Sequence, residues 1–326
     1  MNRLRAAILV PGLISGLFSG LGFADIAEHF PAENWLEASA EEVNLDQSKI
    51  DRLFDLSFAD DATQGAAFFK DGRLITERYA EGFDKDSHGT SWSMAKSFYA
   101  ALIGISIDRG EIASLDDPVA NYLDYFNDER REITIRQILN MTSGLDFPSH
   151  EHEDMFFSSD HLAYARDVGV EKKAGQLFEY NNVNSMLLAD ILLQVTGVPA
   201  DKLLADRIFN KIGLTDVVLW QDAAGNPLTY CCVDTTVRQY SRFGLLFARN
   251  GNWNGGNNAG YRGDYYGDGY CRRSSGGTGT VVGAIAGGVI GNQVARRNDR
   301  TVATVAGAVV GGLLGRSIDR GRTVCR

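Results

Sequence analysis

The stretch SWSMAKSF (residues 91–98) sets two serines and a lysine at the head of an apolar run, and its reading decides the fold. From Ser93, MAKSFYAALIGISIDRG carries apolar residues at helical spacing and closes on Gly110, which predicts a helix with Gly110 as its C-terminal cap. Ser93 and Lys96 stand three apart at the start of that helix, so their side chains share a face. A serine hydroxyl is a poor nucleophile until a base takes its proton, and a desolvated lysine that sheds its charge can be that base. The helix N-terminus adds a positive field and a backbone N–H for a developing oxyanion. Ser91 has Met94 three residues on, and none of the other seven lysines follows a serine at that spacing. The pattern also fits a capping serine beside a surface lysine, so it needs support from the rest of the chain.

On the N-terminal side, a polar, acidic connection leads into GAAFFKDGRLITERYAEGF (65–83), which reads as two strands joined at Lys70-Asp71-Gly72. On the C-terminal side, helices are predicted in SLDDPVANYL, ITIRQILNMTSGL, NNVNSMLLADILLQVTG, PADKLLADRIFNKIG and TTVRQYSRFGLLFARNG. One hairpin followed by a mostly helical region predicts an α+β fold.

Taken in order, SWSMAKSF, SLDDPVANYL, ITIRQILNMTSGLDF, FEYNNVNSMLLADILLQVTG and IFNKIGLTDVVLW resemble the serine β-lactamase-like family over residues 46–255. Within it, the chain looks like the class C-type esterases and 6-aminohexanoate-dimer hydrolases. The resemblance implies a β-lactamase/transpeptidase-like fold, an antiparallel sheet plus a helical domain, with Ser93 as nucleophile and Lys96 beside it. The family's second motif is Tyr-x-Asn. Tyr125-Phe126-Asn127 follows Ser93 too closely and reads as helix-end packing, whereas Tyr180-Asn181-Asn182 stands in the family's usual context. Tyr180 is then the second proton-handling group and Asn182 the substrate-binding one. A tyrosine near pKa 10 needs a neighbouring cation to act as a base, a part that falls to Lys96. The third motif, Lys-Thr-Gly or His-x-Gly on a closing strand, has no match. No lysine follows Lys211, no histidine follows His161, and GGTG (276–279) lacks the cation. The resemblance ends near residue 255, which implies a fold without its C-terminal strands and a sheet edge left open.

The chain is 326 residues long with a net charge of −10, which argues against nucleic acid as a partner. That charge is unevenly spread. Residues 251–326 hold 10 Arg, no Lys and 4 Asp, together with 19 of the 36 glycines, so their net charge is +6 against −16 for the remainder. Residues 256–273 read as a Gly/Tyr-rich linker. In 274–320, Gly279, Gly283, Gly287 and Gly291, then Gly307, Gly311 and Gly315, repeat every four residues around the charged turn RRNDR. Residues four apart share a helix face, so this part predicts a glycine-zipper helical hairpin. It resembles the two-helix domain of 17-kDa surface antigens, which implies membrane association or self-association. Residues 1–24 carry Arg3 and Arg5 ahead of nineteen uncharged, mostly apolar residues, the pattern of an export signal or N-terminal anchor.

An exported location, in the periplasm or the outer membrane of a bacterial envelope, follows from these two ends. Cys231, Cys232, Cys271 and Cys325 would then meet oxidising conditions, and Cys271 and Cys325 bracket the zipper as a candidate disulfide. Cys231-Cys232 reads as a packed pair rather than a redox site, because adjacent cysteines bridge only with strain. SHEHED (149–154) with His161 lacks a complete metal-ligand spacing and reads as a solvated acidic loop. No metal or organic cofactor is expected. The function expected is hydrolysis of a small-molecule ester or amide, β-lactams included, through an acyl-enzyme on Ser93. The alternative is a non-catalytic envelope protein whose hydrolase part is degenerate and whose tail associates with membranes or with itself.

Overall fold

The Asp71-Gly72 pair turns with φ +53° and +78°, the mirror-image conformation that matches the twist of paired strands. In the computed structural model this turn joins β2 (Gly65–Lys70) to β3 (Arg73–Tyr79), as the sequence predicts. Gly72 is also required by space, since a Cβ there would lie 1.9 Å from the His29 carbonyl oxygen. The structure describes residues 29–148 and 152–254, with residues 272–273 and 323–324. A two-residue strand β1 (Leu36–Glu37) pairs parallel to β3, giving the order β1-β3-β2 with β3 in the middle. Against this sheet packs α1 (Gln47–Ser57), capped by Asp46, where the sequence suggested only a polar connection. Ile50 and Phe54, four apart, form its buried stripe, a signal too narrow to stand out among the charges.

A second sheet was not legible in the sequence. It consists of β4 (His88–Thr90), β5 (Val217–Leu219) and β6 (Val233–Thr236) in the order β4-β6-β5, all antiparallel. Three- and four-residue strands hold too few alternations to be recognised locally, and more than a hundred residues separate β4 from its partner.

The helical region is built around α2 (Ala95–Asp108) and α6 (Asn182–Thr196), whose central residues are buried in one large apolar cluster. Asn181 caps α6 and Gly197 ends it in the left-handed conformation. Short helices α3 (Ile135–Leu139), α4 (His152–Phe157) and α5 (His161–Asp167) lie between them in sequence. α7 (Ala200–Leu204) continues through a π segment and a 3-10 turn to Gly213, and α8 (Val237–Ala248) follows β6 directly. The helix expected in SLDDPVANYL does not form. Pro118 is extended and bridges Thr134, and the Val119 N–H donates to the Ile133 carbonyl, leaving only a 3-10 turn over Val119–Asn121. Pro118 lacks the N–H that a helix interior would use.

Among the described residues no single helix is long and apolar enough to cross a membrane. Residues 272–273 (β7) and 323–324 (β8) pair antiparallel, each next in sequence to Cys271 and Cys325. The export segment, the glycine repeats and those two cysteines lie outside the described residues.

Candidate active site

β4 leads into a 3-10 turn over Trp92–Met94, and this turn runs straight into α2. Ser93 therefore sits on a turn just ahead of the helix rather than within it. Trp92 adopts φ +44°, a region that a bulky residue occupies at a cost of roughly 1–3 kcal/mol. Ser91 holds the turn from outside. Its N–H donates to the Val233 carbonyl at 2.8 Å, and its Oγ accepts from the Val233 N–H at 3.0 Å. The two serines of the opening stretch thus divide their tasks: Ser91 is a clamp to β6, and Ser93 meets the other polar groups of the site.

Lys96 lies one turn into α2. Its Nζ donates to Ser93 Oγ at 3.1 Å and to the Tyr230 carbonyl oxygen at 2.7 Å. The stem is half-buried but the amine end is enclosed, and burial pulls its pKa down from 10.5 to about 7. Removing water from an ammonium without supplying a counter-charge favours the neutral amine. Tyr180 approaches from the loop before α6, and its hydroxyl donates to Ser93 Oγ at 2.5 Å. The residue is 42% exposed, yet burial of the hydroxyl end raises its pKa, with the Ser93 hydrogen bond acting in the opposite direction. The sequence left two parts open to Lys96, base in its own right or cation beside Tyr180. Its burial favours the first, since the pKa of Lys96 falls to about 7 while that of Tyr180 rises.

Asn182 opens α6, and its Nδ2 lies 3.5 Å from Nδ1 of His152, while its Oδ1 is buried without a partner. Tyr125 is elsewhere: its hydroxyl donates to Asp190 at 2.8 Å, the packing role expected for it. Three site residues escaped the sequence reading. Tyr230 supplies the carbonyl to Lys96, and its ring lies 5.7 Å from Nζ. The buried His161 meets the Tyr230 hydroxyl through Nδ1 at 3.0 Å. His152 is half-buried, stacked on Phe147 at 4.9 Å between ring centres and 6.3 Å from the Tyr180 ring, so it does not belong to a solvated loop. Burial and the charge of Lys96 both hold its pKa below the usual histidine value. The unusual histidine density of SHEHED was the available signal. Among the described residues no group of three or more His, Cys, Asp or Glu is placed to hold a metal.

The pair Cys231-Cys232 also departs from expectation. The two are joined by a disulfide, and both are buried beside Tyr230 and Val233.

A family model described as Beta-lactamase matches residues 50–306. The chain belongs to that family. The match runs past residue 255, where the motif-by-motif resemblance ended. Among curated relatives, a D-aminopeptidase of Brucella anthropi is 30% identical over 175 residues, covering 48% of this chain and 33% of that protein. Penicillin-binding protein 4 of Amycolatopsis lactamdurans is 30% identical over 135 residues, covering 40% and 35%. The chain thus spans about a third of the length of these two relatives. Among solved structures, a Bacillus anthracis protein provisionally assigned as a 6-aminohexanoate-dimer hydrolase aligns with a TM-score of 0.57 at 21% identity, over 64% of this chain and 58% of that one. The octameric penicillin-binding protein homologue from Pyrococcus abyssi aligns at 0.52 and 19%, over 64% and 57%. At these identities the structural matches establish the β-lactamase/penicillin-binding-protein fold.

Proposed function

We propose that the protein is an exported serine hydrolase that cleaves a small-molecule ester or amide, β-lactams included, through an acyl-enzyme on Ser93. The observation that carries this reading is the convergence of Lys96 Nζ and Tyr180 OH on Ser93 Oγ, at 3.1 and 2.5 Å. Lys96 as a neutral amine accepts the Ser93 proton while Oγ attacks the carbonyl carbon. The Ser93 N–H donates to the developing oxyanion. The proton then passes from Lys96, with Tyr180 as the adjoining donor, to the leaving oxygen or nitrogen as its bond to the acyl carbon breaks. Asn182 holds the acyl group. Lys96 then deprotonates a water that attacks the acyl carbon; the acyl–Oγ bond breaks, the acid leaves, and the proton passes from Lys96 back to Ser93 Oγ. The relatives named as an aminopeptidase and a penicillin-binding protein favour an amide or peptide-like substrate over a simple ester.

The test is treatment of the full chain with a fluorophosphonate probe followed by intact-mass measurement, beside Ser93→Ala. One adduct, absent in the variant, is expected. A folded chain that takes no adduct would overturn the reading in favour of the non-catalytic envelope protein.

A further inference from the structure

The Lys96 acceptor belongs to a four-residue segment, Tyr230–Val233, whose two ends both touch the nucleophile's turn. At one end the Tyr230 carbonyl takes the Lys96 hydrogen bond. At the other, Val233 exchanges two hydrogen bonds with Ser91, two residues before Ser93. Between them lies the Cys231–Cys232 disulfide, which closes a ring through the intervening peptide. Cys232 has φ +73°, a left-handed conformation that an unconstrained cysteine seldom adopts. The Cys232 carbonyl accepts from Trp220 N–H at 3.1 Å.

Building on the proposed acyl-enzyme chemistry, we propose that the Cys231–Cys232 disulfide is a positioning element that holds the Tyr230 carbonyl on Lys96, so that a dithiol reductant slows acylation of Ser93. A dithiol gives two electrons and two protons to the bond, yielding two cysteine thiols and the cyclic disulfide of the reductant. With the ring open, Cys232 can return to negative φ. The segment must then shift at the Tyr230 end, the Val233 end or both. A shift at Tyr230 removes the wall that keeps water from Nζ, and hydration favours the ammonium, which cannot accept the Ser93 proton. The groups facing Nζ are Ser93 on the nucleophile turn, Tyr180 before α6, Tyr230 before β6 and His152 on α4. His152 can also take up a proton, although burial and Lys96 hold its pKa down, so its contribution has to be separated.

The experiment measures fluorophosphonate acylation of the full chain from pH 5 to 10, oxidised and after dithiothreitol, with the thiol count read by intact mass. Three variants accompany it: Cys231→Ala/Cys232→Ala, Cys231→Ala/Cys232→Gly and His152→Gln. Reduction and the Ala/Ala variant are expected to slow acylation at pH 7 at least tenfold and to move its pH midpoint upward. The Ala/Gly variant should recover most of that loss, because glycine takes φ +73° without a ring. A shift that persists in the His152→Gln background assigns it to Lys96. Equal rates and midpoints in the oxidised chain and the Ala/Ala variant would overturn the proposal while leaving the acyl-enzyme reading intact. A shift that disappears in the His152→Gln background would also overturn it. No adduct in any form, the oxidised chain included, would overturn both.

Discussion

Lys96 Nζ and the carbonyl oxygen of Tyr230 are 2.7 Å apart, joined across 134 residues of sequence. That contact ties the first turn of α2 to the segment entering β6, and it encloses an amine that burial alone moves toward its neutral form. The consequences for proton transfer and for stability can both be measured.

Acylation at Ser93 should rise with pH and level off above about 7, the value to which burial lowers Lys96. Below that pH the amine is protonated and cannot accept the serine proton. Lys96→Ala should lower the plateau by about 10²–10⁴-fold, the usual contribution of a positioned base. A midpoint near that of a free lysine would contradict the assignment.

The same burial makes stability pH-dependent. Between about 7 and 10.5 the folded chain holds a neutral Lys96 while the unfolded chain holds an ammonium. The unfolded state then binds more protons, so this group makes stability rise with pH, by on the order of 1 kcal/mol per unit. Lys96→Met removes the term. Urea unfolding at pH 7, 8.5 and 10 should show the variant's advantage over the parent shrinking as pH rises, and an advantage that stays constant would exclude a depressed folded-state pKa.

Tyr180→Phe keeps the ring and deletes only the hydroxyl that donates to Ser93. Acylation should fall about 10²-fold with unfolding midpoints little changed, since Tyr180 is 42% exposed. A variant that loses stability in parallel with activity would make Tyr180 a packing residue instead.

Asp190 is fully buried on α6 and accepts from the Tyr125 hydroxyl at 2.8 Å and from Arg166 Nε at 3.0 Å. Asp190→Ala leaves a phenol and a guanidinium without their acceptor. Because Arg166 is 43% exposed and can rehydrate, the expected cost is near the lower end for a broken pair, about 3 kcal/mol. Chemical denaturation of the variant reads this directly.

Gly72→Ala would place a Cβ against the His29 carbonyl at a residue with φ +78°. The left-handed penalty alone is about 1–2 kcal/mol, and the clash adds to it. A thermal midpoint equal to that of the parent would show that the hairpin turn relaxes freely.

Much of the frame was legible because its signals are local. The Lys70-Asp71-Gly72 turn, the helix in NNVNSMLLADILLQVTG that forms α6, and the apolar spacing of α2 are each carried by a short run of neighbouring residues. Ser93, Lys96 and Tyr180 were legible for a related reason, as residue types at set spacings in a recognisable order of motifs. Pro118 misled where a long-range bridge to Thr134 outcompeted a weak helix.

The sequence by itself determined the fold class and singled out Ser93, Lys96 and Tyr180, whose polar ends the structure brings together. Only the tertiary structure decided the chemistry those groups can perform. Lys96 approaches neutrality because Tyr230, Tyr180 and the start of α2 enclose it, and burial raises the pKa of Tyr180 against the opposing effect of its Ser93 hydrogen bond. Likewise, Ser91 became a clamp, His152 a wall of the site and Cys231–Cys232 a covalent ring only once β6 lay beside the nucleophile's turn. Desolvation and long-range hydrogen bonds depend on which distant segments fold onto one another. Spacing along the chain does not encode them.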